Sequence, residues 1–543
     1  MRHSICLTIL FAFAICGRTV CQADGPALTV PDGFHAELFA DDELAHNIFS
    51  LTCNAAGDVV VSGPGYVRTL LDTDGDGKAD KTRTFCAAPR TGAQGMFFLG
   101  PHLICSGDAG LQIFRDDNRD GKADGLPEIF LRVKAGGEHD VHAIRKGPDG
   151  WWYVIAGNMA GVSAAYATLK TSPVKRPDSG TMLRLRPDLS GGEILADGFR
   201  NAYDFDFSSA GDIYTFDSDG ERDVSLPWYQ PTRVYQVTPR SHAGWISRSW
   251  KRPDHFSDMP PVTGRFGRGS PSGVVCYRHT QFPQKYRGAI FILDWTFGRI
   301  LALPLQQNGS VTSTHAIEFA SGTGQYGFAP TDAAIGPNGD LFVSIGGRGT
   351  QGGVFRISWK EPNTTADNAL EILSGDFSRL ETVLRAPQPG ASWSRAAWVP
   401  KARRLSSTPF QQFARDVTRN EAHRIRAIEV LTEMYGGVTE ETAVALSHDT
   451  MPGVRARAVW SVGRSQSGKL PLNVIAGYLD DRNPLVVRAA LEALSTLTES
   501  QSAAACLSGL ATALTSDDRF VRAAASSICA LLNETDWGQL QIM

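Results

Sequence analysis

Over residues 30–359, short apolar runs alternate with polar turns that carry a glycine. Asn54-Ala-Ala-Gly57-Asp-Val-Val-Val, Gly147-Pro-Asp-Gly150-Trp-Trp-Tyr-Val, Ser208-Ser-Ala-Gly211-Asp-Ile-Tyr and Gly336-Pro-Asn-Gly339-Asp-Leu-Phe-Val share one form. In each, a polar turn closing on Gly launches β-branched or aromatic residues, the pattern of a hairpin and its returning strand. The unit recurs at irregular separations, which predicts propeller blades with loops inserted between strands; about six blades of four strands fit the length. A pair of β-sandwiches is the competing arrangement. From Glu361 the period becomes helical. Val454-Arg455-Ala-Arg-Ala458, Val487-Arg488-Ala-Ala-Leu491 and Val521-Arg522-Ala-Ala-Ala525 repeat with 33 and 34 residues between the arginines, and Arg424-Ile-Arg-Ala427 is a weaker upstream copy. Turn residues Pro452, Pro484 and Asp517 stand just before the three copies. Such helix pairs bury their apolar faces only by stacking, so this part is expected to form a solenoid or a cap on the propeller. The chain thus divides into a leader at 1–23, a propeller at 24–358, a linker at 359–376 and helical repeats at 377–543.

The leader follows from residue order. Arg2 and His3 precede an apolar run over 5–15, and Val20-Cys-Gln-Ala23 offers a small residue for cleavage. That run is shorter than the roughly 20 residues a spanning helix needs, so the chain is expected to be exported, to a periplasm or outside the cell. There Cys53, Cys86, Cys105, Cys276, Cys506 and Cys529 can form disulfides; spacing fixes no pairing, and Cys86 with Cys105 is the first pair to test. No Cys-x-x-Cys-His run is present, so a covalently attached c-type haem is not expected. Lys and Arg number 53 against 57 Asp and Glu, a balance that argues against a nucleic-acid partner.

Two loops are near copies: Asp72-Thr-Asp74-Gly-Asp76-Gly77-Lys-Ala-Asp80 and Asp116-Asp-Asn118-Arg-Asp120-Gly121-Lys-Ala-Asp124. Side-chain oxygens at the first, third, fifth and ninth positions, with Gly at the sixth, suit a cation of Ca²⁺ size. Both lack the acidic twelfth residue, where Arg83 and Pro127 stand, and neither has flanking helices. Such loops are not EF-hands. The alternative is a hairpin turn that uses Asp and Gly for its backbone geometry. Bound Ca²⁺ is expected to brace a blade and to do no chemistry.

Candidate chemistry is densest over Glu138-His139-Asp140-Val-His142, followed by the Gly147–Gly150 turn and Gly157-Asn158. Gly198-Phe-Arg200-Asn201 lies downstream. Here residues 30–358 resemble the soluble quinoprotein glucose and aldose sugar dehydrogenase family, six-bladed propellers that use pyrroloquinoline quinone. The likeness rests on His139, eight residues before Gly147-Pro-Asp, and on Arg200-Asn201 after Gly198. The Asp loops, Asp294-Trp295 with Gly298-Arg299, and the helical tail are similar to a branch of secreted bacterial proteins labelled membrane-bound dehydrogenases. The tail itself resembles HEAT repeats. Two departures accompany the likeness. Asn158 stands where the family orients its His with an Asp, and Ala329 and Thr331 stand where it has an Arg-x-Arg; only Asp332 is kept.

The resemblance implies a quinone-dependent oxidoreductase acting on a sugar or related alcohol. In it His139 is the general base, Asn158 its partner, and Arg200 and Asn201 hold the cofactor, with Arg299 or Arg348 as substitutes for the missing arginines. Electrons would then leave to a separate carrier. Two other classes remain open: a non-catalytic scaffold that binds a glycan or peptide while the tail docks a protein partner, and a Ca²⁺-dependent lactonase-type hydrolase with its ion on the propeller axis. A metal held by Glu138, His139 and His142 lacks a third histidine at ligand spacing. No phosphate loop, dinucleotide fingerprint or Gly-x-Ser-x-Gly elbow is present.

Overall fold

The computed structural model describes residues 27–218, 220, 224–246, 251–323, 327–360, 378–464, 470–497 and 501–543. The leader at 1–23 and nearly all of the expected linker lie outside these residues.

Residues 27–359 form a six-bladed β-propeller of antiparallel sheets. The first blade is Ser50–Cys53, Val59–Gly63, Tyr66–Leu71 and Lys81–Cys86, and the second Gly95–Leu99, His102–Gly107, Gly110–Phe114 and Glu128–Arg132. The third is Val141–Lys146, Trp152–Ala156, Gly180–Leu185 and Gly192–Phe199. Phe205–Phe207, Ile213–Ser218, Thr232–Val237 and Val262–Arg265 make the fourth. The fifth is Pro271–Cys276, Ile290–Asp294, Arg299–Leu303 and Ile317–Thr323, with Ala27–Thr29 added at its edge. The sixth takes Pro330–Ile335, Leu341–Ile345 and Gly353–Trp359 from one end of the propeller sequence and Phe34–Ala40 from the other.

Strand side chains alternate between two faces, and here both faces are covered. Val59 and Val61 pack toward the sixth blade, while Val60 between them packs toward the second. Burial is therefore continuous along Val59–Gly63, and the run reads as unbroken apolar sequence. Each of the six blade junctions has its own apolar cluster; the fifth–sixth junction is the most aromatic, with Phe34, Tyr277, Phe282, Tyr286, Phe291 and Phe319. The six cysteines of the described chain, Cys86 and Cys105 included, are separate thiols.

The helical tail begins at Arg379–Arg385 and ends at Glu534–Leu540. The sequence repeats fall on Pro452–Val462, Pro484–Leu494 and Arg519–Cys529, with the weaker copy on Glu421–Tyr435. Pro452 and Pro484 sit in the first turns of their helices, where a missing N–H costs nothing, and Asp518 caps the third by accepting from Phe520 N and Val521 N. These helices stack over a single apolar core.

The tail is docked on the propeller through buried polar groups. Arg488 donates to Ser310 O at 2.7 Å and to Asp212 Oδ1 at 3.1 Å, and Arg464 to Asp149 Oδ2 at 3.2 Å. Asp518 also accepts from Ser310 N and Oγ at 2.8 Å each, and Trp393 Nε1 donates to Ile335 O at 2.9 Å. Glu429 gathers Arg457 at 2.9 Å, Arg426 at 3.0 Å and the propeller's Arg278 at 3.5 Å. Two of the glycine turns that betrayed the blades meet this layer: Gly150 lies against Glu433 and Gly211 against the Arg457 guanidinium. The solenoid caps the hairpin end of the ring.

Candidate functional site

His139, Asn158 and Arg200-Asn201 lie at the opposite end of the same strands. His139 precedes Val141–Lys146, Asn158 follows Trp152–Ala156, and Arg200 follows Gly192–Phe199, all in the third blade. The Asn158 main-chain N–H donates to Arg200 O at 2.8 Å, and Met159 N to His139 O at 2.9 Å. Gly157 permits this approach, since a Cβ there would stand 2.6 Å from His139 O and 2.8 Å from Asn201 Oδ1. The four residues expected from sequence are thus drawn together.

The Asn158 amide is oriented by its neighbours. One of its two terminal atoms lies 2.9 Å from Arg200 O and 2.6 Å from His139 Nδ1, and the other 3.3 Å from Trp245 Nε1. An indole N–H only donates and a carbonyl only accepts, so the first atom is assigned as nitrogen and the second as oxygen.

Arg200 and Asn201 rest on Asp217, whose carboxylate accepts from Arg200 N at 3.0 Å and Asn201 N at 2.8 Å. Asp217 is fully buried and paired at 2.7 Å with an equally buried Lys251. The Arg200 guanidinium donates to Ser218 Oγ at 2.9 Å and lies over Trp245. Asn201 Oδ1 meets His142 Nε2 at 3.1 Å, and the His142 ring stacks on Tyr203 at 4.2 Å. Burial pushes the His142 imidazole down to about 4, with the Asn201 bond acting against it. His142 is neutral at working pH.

Arg200, Asn201, Tyr203 and Ser218 border an open cleft of about 650 Å³, whereas His139 and Asn158 stand behind them, outside its lining. Arg200, Arg268 and Arg348 line it, with Tyr229, Trp295 and Phe297 among its aromatics. Arg348 pairs with Glu138 and lies over the Trp295 ring, which is itself fixed by Nε1 donating to Gly346 O at 2.8 Å. Thr331, one of the positions lacking a family arginine, lines the cleft with its hydroxyl on Ser344 Oγ at 2.8 Å. Arg299 is committed to Asp294 at 3.0 Å and to Phe266 O at 2.9 Å. Arg268 and Tyr229 were not singled out by sequence reasoning. Tyr229 comes from the long loop between Ile213–Ser218 and Thr232–Val237 and Arg268 from the short connection between Val262–Arg265 and Pro271–Cys276, neither with a motif.

Below the cleft Arg145 reaches across the ring, bonding Asp204 at 2.7 Å and Val274 O at 3.2 Å. Asp332 accepts from Leu51 N at 2.8 Å. Burial, and then the charge of Asp204, hold its carboxyl well above the usual carboxylate range. An ion on the axis, as the lactonase arrangement requires, would meet the Arg145 guanidinium.

Both Asp loops join the third and fourth strands of their blades, at the strand ends away from the cleft. Asp72, Asp74 and Asp76 bring carboxylate oxygens within 4.8 Å of one another on the surface. Asp80 instead holds Thr73, accepting from its N at 3.0 Å and from its Oγ1 at 2.5 Å. In the second loop Asp116 accepts from Asp120 N and Gly121 N at 3.1 and 3.0 Å, Asn118 Oδ1 from Asp120 N at 2.9 Å, and Asp124 from Asp117 N at 2.6 Å. Side-chain to backbone bonds of this kind fix the conformation of turns rich in Asp and Gly. Asp178, Asp197 and His242 also converge, but His242 Nδ1 accepts from Gly244 N at 3.0 Å, which leaves the proton of a neutral ring on Nε2, facing Asp178.

His142, His242 and His279 share one thermodynamic consequence. Burial lowers each to about 4. A folded-state value below the unfolded one, near 6.5, means the stability is complete above about pH 6.5 and is lost as pH falls toward 4. Each ring contributes a slope of about 1.4 kcal/mol per pH unit in that window. Urea midpoints measured at pH 7 and pH 5 are expected to fall together with pH, and unchanged midpoints would refute the assignment.

The family described as "Domain of unknown function (DUF7133)" matches residues 25–344, and HEAT repeats match residues 439–529. No curated protein matches the chain. Among solved structures it is similar to the PQQ-bound form of aldose sugar dehydrogenase from Streptomyces coelicolor, at 15% identity over 62% of this chain and 100% of that one, TM-score 0.44. It is also similar to the holo form of the pyranose dehydrogenase PQQ domain from Coprinopsis cinerea, at 14% identity over 62% and 98%, TM-score 0.45. A Trichoderma reesei carbohydrate-active enzyme of family AA12 in a calcium structure shares 13% identity over 62% and 98%, TM-score 0.47.

Proposed function

This chain belongs to the family described as domain of unknown function DUF7133, and from that premise we propose an exported propeller whose open cleft holds a polycarboxylated quinone of the pyrroloquinoline quinone kind beside a sugar or alcohol. One observation carries the reading: three guanidinium groups, from Arg200, Arg268 and Arg348, line a single cleft with aromatic faces between them. Planar forks of this kind suit carboxylates and keto oxygens, and Trp295 offers a flat surface for a fused ring. The donor set therefore fits the group although Ala329 and Thr331 bring no charge. Bound there, the quinone would supply the acceptor for a hydride from the alcohol carbon. The protein's part is to fix it: Asp217 sets the Arg200-Asn201 turn, and His142 fixes the Asn201 amide by its oxygen. Electrons would pass to a separate carrier, and the capping tail is left as the surface for a protein partner.

Calorimetry with the quinone and Ca²⁺ is expected to show binding that Arg200→Ala weakens about 10-fold or more, the worth of one charge-assisted bond. No heat with the intact protein would defeat the proposal. Dye reduction with aldoses then separates turnover from holding. A second reading, a scaffold that binds without turnover, is favoured by Asn158, which brings no charge to stabilise a protonated His139.

A further inference from the structure

The contacts of Asn158 determine where His139 carries its proton. Two of the three groups around this amide have no freedom: Trp245 Nε1–H can only donate and Arg200 O can only accept. With the oxygen turned to Trp245, both hydrogens of the NH₂ group are used, one on Arg200 O at 2.9 Å and one on His139 Nδ1 at 2.6 Å. The opposite orientation would set the amide oxygen against the carbonyl oxygen of Arg200 and the NH₂ group against the indole N–H, losing two bonds at once. A nitrogen that accepts a hydrogen bond holds a lone pair, so a neutral His139 has its hydrogen on Nε2.

We infer that Asn158 is a positioning residue that locks His139 in the Nε2–H tautomer, so that this imidazole offers a hydrogen rather than a lone pair to any group meeting its Nε2. A ligand atom that met this Nε2 would have to be an acceptor oxygen: a carboxylate, a carbonyl or the lone pair of a hydroxyl. The general-base role expected for His139 requires the other tautomer, with Nδ1–H given to its partner. The lock is built from three parts of the chain, since Trp245 comes from the fourth blade's long loop and Arg200 from the end of the third. Its geometry does not depend on which ligand the cleft takes; only the choice of acceptor oxygen rests on the reading above.

Nitrogen-15 NMR of histidine-labelled, ligand-free protein tests this directly, with His139 assigned by loss of its signals in His139→Gln. At a pH where the ring is neutral, Nε2 is expected as the protonated nitrogen and Nδ1 as the unprotonated one. An Nδ1–H form equal to or in excess of the Nε2–H form would overturn the inference. Asn158→Asp supplies only acceptors, and it is expected to move the proton to Nδ1; a proton that stays on Nε2 would show that Asn158 does not set it. The wild-type spectrum decides the tautomer even if that variant does not fold. Because no quinone is added, failure of quinone binding leaves this result untouched.

Discussion

Replacing Glu429 by alanine is expected to lower the unfolding free energy by about 3–5 kcal/mol, the cost of leaving buried charge without its partner. Glu429 is fully buried and is shared by Arg426 and Arg457 of the tail and Arg278 of the propeller. Removing it leaves three guanidinium groups facing one another where solvent cannot screen them. Glu441→Ala is the control: its partnership with Arg415 is 82% exposed on the carboxylate side and is worth at most about 1 kcal/mol. Urea denaturation of the two variants side by side makes the measurement, and comparable small shifts would show that the buried Glu429 cluster adds no more than a surface pair. The same residue predicts an acid limit. Burial alone would raise the Glu429 carboxyl, but Arg278, Arg457 and Arg426 together hold it below its ordinary value. Its contribution is present above the unfolded carboxylate range, near 4.3, and is lost as pH falls below that. This window lies under the one set by the buried histidines, so acid titration should weaken the fold in two stages.

The second large effect is expected at Asp217. Alanine there removes the carboxylate paired with the buried Lys251 and the acceptor of Arg200 N and Asn201 N together. A loss of about 3–5 kcal/mol is expected, accompanied by loss of quinone binding. Ser218→Ala removes only the hydroxyl on the Arg200 guanidinium and is expected to weaken binding with little change in stability. Calorimetry and denaturation on both variants separate the scaffold from the contact. Equal stability of Asp217→Ala and wild type would mean that the turn is supported by other means.

Much of the propeller was legible because the same local problem recurs. The turns at Gly57, Gly150, Gly211 and Gly339 each join the first and second strands of a blade, so their shared residues mark four of six inner hairpins. The remaining two, around Gly100 and Gly288, use different residues and escaped notice. The arginine spacing of the tail was readable for a similar reason, since each repeat meets the same stacking surface. The candidate site was legible only as far as the third blade supplies it. His139, Asn158 and Arg200-Asn201 sit close in sequence and were found together. Lys251 and Trp245 reach the site from the long loop before Val262–Arg265 and Arg268 from the short connection after it, and no local pattern announces a partnership made by blade closure. Arg348 was named but without a location. Asp80 and Asp124, read from their spacing, each also accept a hydrogen bond that closes their own loop.

The sixth blade is finished by a strand from the far end of the propeller sequence, with Phe34 opposite Trp359. A polypeptide emerging in order presents Phe34–Ala40 first and must leave its edge unsatisfied until Gly353–Trp359 arrives. Long-range pairings of this sort delay completion, and during that interval an uncovered edge is free to pair with the wrong neighbour. Once the two strands meet, neither terminus of the toroid can peel away without opening a sheet. Slow maturation and reluctant fraying follow from the same seam.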